Sequence, residues 1–317
     1  MAHRSQVEEA WARYLEGRIG SVAASIPGQT DLADGDAPSL HLPEGPTPTW
    51  LLLPIWLDQA WAKAPSGPPP GGALAEILWG QYALFLTIRI QDDLFDRQRD
   101  DLRLVYVADR FLLESQEALQ RVPGLDAAFW GFYRSCLRET VDGILEVGRL
   151  ERAAGRFTAQ HLSLHARVSA IFKVGVAAAC RLHGREGDAA WLARLQDQLA
   201  IVSQIGDDLE DVAADLESGR FTWVGNTLLA AEAGETIGPD SRAGRLAAGL
   251  MRPERGAVIV EELRRAALAA AAAVPDWAPP PIRELVEKLG ALPGELEQQM
   301  HESRVRLVFG EAVASGR

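Results

Sequence analysis

Two stretches of the sequence concentrate carboxylates where apolar side chains would be expected. IQDDLFD (residues 90–96) places Asp92, Asp93 and Asp96 at the end of an apolar run that opens at Ala73 and includes EILWGQYALFLTI. Asp92 and Asp96 stand four residues apart and share a helical face, with Asp93 beside them and Phe85, Ile88 and Arg89 on the preceding turns. SQIGDDLEDVAADLESGRFTW (203–223) repeats the pattern, with Gln204, Asp207, Asp208, Asp211 and Asp215 forming a second acidic stripe after the apolar LAIV. One such cluster alone reads as a solvated helix end. Two acidic faces turned into one bundle repel severely unless cations sit between them. All-oxygen ligands favour Mg2+, which keeps waters and is usually completed by substrate phosphates.

The elements that must carry these residues are helices. Segments around 49–63, 73–97, 101–121, 125–150, 158–183, 188–215, 222–233, 255–273 and 281–311 are rich in Ala, Leu, Glu and Arg, with apolar residues at three- and four-residue spacing. Gly- and Pro-rich punctuation separates them, as in APSGPPPGG (64–72), and strand signals are nearly absent. No repeat or linker divides the chain. The expectation is a single all-α domain over 1–317, with 1–48 a partly irregular N-terminal segment.

Composition narrows the function classes. A chain of 317 residues with formal charge −12 has no bulk attraction for nucleic acid or an anionic membrane, so an anionic substrate must be met by local cations or metal ions. The charged N-terminus has no signal core, and no uninterrupted apolar run approaches a membrane span. Cys136 and Cys180 lie in apolar helical surroundings and read as buried, inert thiols. The chain is therefore expected to be soluble and cytoplasmic. His161 and His165 in HLSLH have metal-ligand spacing but no acidic partner, and no Glu-x-x-His pair supports a di-iron carboxylate bundle.

With these residues in place, the sequence resembles the class I isoprenoid synthase superfamily, and in particular the trans-prenyl diphosphate synthases. DDLFD matches the family's DDxxD motif and QIGDDLED resembles its QIxDDxxD motif. Lys173 in SAIFKVGVAAAC falls where the family has a lysine before the second motif, and DLESGRFTW resembles DLxxGKxT with Arg220 in the lysine position. The resemblance covers roughly residues 50–230. It implies a helical bundle around a deep central cavity, a homodimer, and an allylic prenyl diphosphate as substrate. It implies three Mg2+ ions, bound through Asp92, Asp96, Asp207 and Asp211 with Asp93 and Asp208 as further catalytic carboxylates. Lys173, Arg220, Gln204 and Arg89 would contact diphosphate, and Phe85, Thr87, Ile88 and Phe172 would shape the cavity.

The sequence also departs from the chain-elongating members of that family. The segment that best corresponds to their basic GGKRxRP stretch is PTPTWLLLPIWLDQA (46–60), which contains no Lys or Arg. A position seven before the first motif, histidine in many relatives, is Phe85, and Arg97, Arg99 and Arg103 are scattered rather than paired. A second anionic substrate would have little to hold it. The expectation is a terpene cyclase on a prenyltransferase-type scaffold, with chain elongation as the alternative and a noncatalytic partner subunit as a weaker one.

Overall fold

A computed structural model describes residues 6–25, 48–62, 72–95, 101–229, 246, 248–249 and 251–314, with the side chains of 6–8, 23 and 303–314 left aside. Among the described residues there are eleven α-helices, three short 3-10 turns and no strand. They group into two compact units, one of residues 1–138 and 170–193, the other of 139–169 and 194–317.

The first unit is organised on α3 (Ala73–Phe95), which is apolar on almost every side and correspondingly buried: Ile77, Leu78, Trp79, Tyr82 and Leu84 are all 0% exposed. α3 has the length and apolarity of a membrane span, yet these side chains form the core of the unit. Against it lies α4 (Leu104–Gln120), whose Leu104, Val107, Ala108, Phe111, Ser115, Ala118 and Leu119 recur at helical spacing and are buried. The approach is tight at Gly80, where a Cβ would lie 2.8 Å from Leu119 Cγ and 3.2 Å from the Ser115 carbonyl.

α1 (Gln6–Ala24) adds Trp11, Leu15, Ile19 and Val22 to the same core. This helix lies within the 1–48 segment expected to be partly irregular, where charged residues interrupt the apolar stripe in sequence without breaking its helical spacing. Residues 26–47 lie outside the described residues.

α2 (Thr49–Trp61) and α7 (Lys173–Leu182) run side by side in the same direction. Trp50 stacks on Phe172 at one end, and at the other His183 Nε2 meets Asp58 Oδ1 at 3.1 Å. The first half of α5 (Ala127–Leu150) belongs to this unit as well.

The second unit contains the remainder of α5, α6 (Ser163–Val168), most of α8 (Ala189–Ser218), α9 (Trp223–Leu229), α10 (Pro253–Ala273) and α11 (Pro280–Ala314). Leu150, Phe157, Leu162, Ile205, Trp223, Val224, Leu228 and Ile259 form its core. The region expected as one helix over 158–183 is instead divided into 3-10 turns at Ala159–His161 and Ala170–Phe172 and the helices α6 and α7. No proline marks the break. Part of its cause is tertiary: Thr140 Oγ1 donates to the Arg167 carbonyl at 3.3 Å, and the 167–168 backbone lies against Gly143.

Candidate active site

In the first unit, α3 delivers the first acidic motif at its C-terminal end. Asp93 is 7% exposed and Arg89 Nε lies 3.2 Å from its Oδ1, so Arg89 forms an ion pair with the motif one turn on. Asp92 is half-buried, and Asp96, with Arg97 and Arg99, lies outside the described residues. Arg103 is held by its own neighbour, donating from Nε and Nη2 to the Asp101 carboxylate at 2.7–3.0 Å.

Behind Asp92 the helix face is aromatic. Phe85 lies 5.0 Å from Trp50 and 6.1 Å from Phe172, while Trp50 and Phe172 stack at 4.6 Å with an interplanar angle of 16°. Tyr82 adjoins both Trp50, at 6.2 Å, and Phe85, at 5.7 Å. Trp50, Phe85 and Phe172 are each only half-buried. Trp50 was not anticipated as a site residue, because segment 46–60 had been informative for the cations it lacks. Thr87 is 1% exposed and donates to the Ala83 and Ala108 carbonyls, so its hydroxyl is directed to α4; Ile88 is buried at 8%.

Lys173 opens α7 directly after Phe172 and is half-buried. Its backbone is bracketed by one side chain from α3. Gln81, 0% exposed, donates from Nε2 to the Ile171 carbonyl at 3.2 Å and accepts the Gly175 N–H on Oε1 at 2.6 Å. A glutamine buried in an apolar helix was the available sequence signal, since a buried amide needs partners.

The second unit carries the second motif on α8. Asp207 and Asp211 are exposed one turn apart, whereas Asp208 and Asp215 are buried at 2% and 9%. Although part of Asp207 reaches solvent, partial desolvation of its carboxyl first, then the charges of Glu210 and Asp211, raise its pKa. Burial pushes Asp208 up to about 6, opposed by hydrogen bonds from Gln204 and Thr222; Gln204 Nε2 donates to Asp208 Oδ1 at 2.8 Å. Gln204 thus acts on a motif carboxylate.

α8 stops at Gly219, whose φ of +84° suits glycine. Gly219 N–H donates to the Leu216 carbonyl at 3.2 Å and Arg220 N–H to the Asp215 carbonyl at 2.8 Å, a Schellman cap. Arg220 emerges from that cap to meet Glu151, with Nη2 and Nε at 3.2 and 3.3 Å from Oε2, and Asp215, with Nη1 at 3.4 Å from Oδ1. Glu151 is 6% exposed, and its burial outweighs Arg220 to push its pKa up to about 7.

No group of three or more His, Cys, Asp or Glu side chains converges on a ready metal cage among the described residues. Asp207 and Asp211 instead offer two oxygen ligands on one exposed helical face. That donor set fits Mg2+, which takes one or two carboxylates and completes its shell with water and phosphate oxygens. His161 and His165 flank the Phe157 ring, at 5.9 and 5.3 Å between centroids, and belong to no group of three or more His, Cys, Asp or Glu side chains among the described residues. His165 is 3% exposed, its Nε2 has no hydrogen-bond partner, and burial pulls its pKa down to about 4, so it is a neutral core histidine. Cys136 and Cys180 are buried, with the Cys180 thiol pushed up to about 12 by desolvation.

No family model matches the sequence, and no curated protein matches it either. Among solved structures, the chain is similar to the octaprenyl pyrophosphate synthase of Helicobacter pylori, with a TM-score of 0.61 at 13% identity over 92% of this chain and 99% of that one. The chain has the all-α isoprenoid synthase fold. Its scaffold resembles that of a trans-prenyl diphosphate synthase, as the two aspartate-rich motifs had implied. At 13% identity the isoprenoid synthase fold is common ground, and the chemistry must be argued from the side chains.

Proposed function

We propose that this chain is a Mg2+-dependent class I terpene synthase that ionises one allylic prenyl diphosphate to a terpene hydrocarbon or alcohol plus pyrophosphate. The aromatic cluster of Trp50, Phe85 and Phe172 carries the reading. Two of these rings occupy positions where, by the sequence resemblance, an elongating enzyme has groups that hold a second diphosphate. Ring faces carry negative quadrupole potential, so they disfavour a diphosphate and favour a carbocation.

In the reaction, the allylic C–O bond breaks heterolytically and the electron pair leaves on the diphosphate oxygen. Mg2+ held by Asp92 and Asp96 of one motif and Asp207 and Asp211 of the other would supply Lewis-acid neutralisation of that charge. Lys173 and Arg220 donate hydrogen bonds to the departing oxygens. Trp50, Phe85 and Phe172 face the hydrocarbon, keep water from it and stabilise the cation until it loses a proton or captures one water.

The second reading is chain elongation, favoured by the fold likeness to an octaprenyl pyrophosphate synthase and by QIGDDLED in the second motif. Both readings include a cytoplasmic homodimer, for which Leu102, Tyr106 and Leu113, exposed at helical spacing along and just before α4, offer an apolar surface. The test is incubation with ten-, fifteen-, twenty- and twenty-five-carbon allylic diphosphates and Mg2+. Cyclic or linear terpene with pyrophosphate is expected from at least one of them, abolished by EDTA; no turnover of any would refute the proposal.

A further inference from the structure

The Arg220 guanidinium combines two properties seldom found together on a surface cation. Its side chain stays 40% exposed, yet its backbone is fixed by the Schellman cap and its charged end by carboxylates from two places in the second unit. Glu151 supplies most of that restraint. It follows the last residue of α5, its N–H donates to the Val147 carbonyl at 3.0 Å, and its own carbonyl accepts the Phe221 N–H at 2.8 Å. Asn226 stitches the same two strands of chain together, accepting from Gly155 N–H at 2.8 Å and donating to the Phe157 and Phe221 carbonyls at 3.2 and 3.0 Å. Glu151 therefore holds Arg220 from a rigid base by both main chain and side chain.

We propose that Glu151 is a positioning residue that presents Arg220, pre-ordered, to the diphosphate of the substrate. The inference rests on the proposed function for its ligand, but its geometry lies wholly within the second unit. A long cation that must meet an anion loses less entropy if its plane is already set. Reach matters more here than charge. A carboxyl oxygen accepts from Nη2 and Nε whether or not Glu151 is protonated, and with its pKa at about 7 it does not fully cancel the arginine at neutral pH.

Two conservative variants separate reach from charge. E151Q keeps the length and an acceptor oxygen, so kcat should stay within about threefold of the parent. E151D keeps the charge but withdraws the carboxylate by one methylene, so kcat should fall about 10- to 100-fold, the range common for residues that orient a ligand, with KM little changed. R220A should fall further, and E151D should cost nothing more on the R220A background, because Glu151 acts only through Arg220. The same comparison is made with the dissociation constant of inorganic pyrophosphate and Mg2+ by calorimetry, a readout that needs no turnover. E151D at parental levels, equal losses in E151D and E151Q, or independent losses in the double variant would overturn the proposal. R220A at parental activity would overturn it while leaving the terpene synthase reading standing. A parent that neither turns over allylic diphosphates nor binds pyrophosphate would overturn both.

Discussion

Replacing Gln81 with leucine tests whether a buried side chain of α3 sets the position of Lys173. Gln81 is 0% exposed, and its amide makes two bonds to main chain on either side of Lys173, at 2.6 Å to Gly175 N–H and 3.2 Å to the Ile171 carbonyl. Leucine approximates the volume but has no polar atom. The Gly175 N–H would lose its acceptor in a dry environment, at about 1–3 kcal/mol, and the bond to Ile171 would add about 1 kcal/mol. The leucine recovers about 1 kcal/mol of this through its apolar surface, leaving an expected loss of roughly 1–3 kcal/mol. Relaxation elsewhere is limited, because a Cβ on Gly175 would already lie 2.9 Å from Gln81 Oε1. Urea unfolding followed by circular dichroism measures the change, and KM for the allylic diphosphate should rise as Lys173 loses its register. A destabilisation below about 0.5 kcal/mol, within the range of ordinary surface changes, would show that the bracket does not hold α7.

Trp50→Leu should lower kcat by about 2- to 30-fold, the equivalent of about 0.5–2 kcal/mol of cation–π stabilisation, with Trp50→Phe losing less; single-turnover kinetics with equal rates in both variants would exclude a cation-facing ring. Gly143→Ala should cost about 1–3 kcal/mol, because its Cβ would meet Val168 N at 2.8 Å and backbone cannot swing aside; unfolding curves superimposable on the parent's would contradict the close approach. Glu151 gives a pH signature. Its folded pKa of about 7 lies above its ordinary 4.5, so the folded state binds the extra proton between those values and this contribution to stability is lost as pH rises through the window. Glu151→Gln should therefore match the parent near pH 4.5 and exceed it by up to about 3 kcal/mol above pH 7, and a difference independent of pH would refute the assignment.

Much of the fold was legible because the long helices obey simple spacing. α3, α4 and α5 were readable from apolar periodicity and from the glycine- and proline-rich segments between them. The division of 158–183 was not, since it depends on Thr140 and Gly143 engaging the backbone of 167–168, contacts that no local pattern announces. In the site, the acidic motifs were visible as residue types at helical spacing. Their supports were not: Gln81 and Glu151 act on residues about 70 to 90 positions away, and their partners are specified only by packing. Trp50 was equally hidden, because its importance lies in the rings it meets from α3 and from the turn before α7.

The central claim is that a single diphosphate is ionised and no second substrate is condensed. It is tested most directly by supplying purified protein with each allylic diphosphate, Mg2+ and isotopically labelled isopentenyl diphosphate, then separating products by chain length and label. The account predicts unlabelled terpene hydrocarbon or alcohol with stoichiometric pyrophosphate, while the labelled compound is recovered intact. Longer, labelled prenyl diphosphates would contradict it.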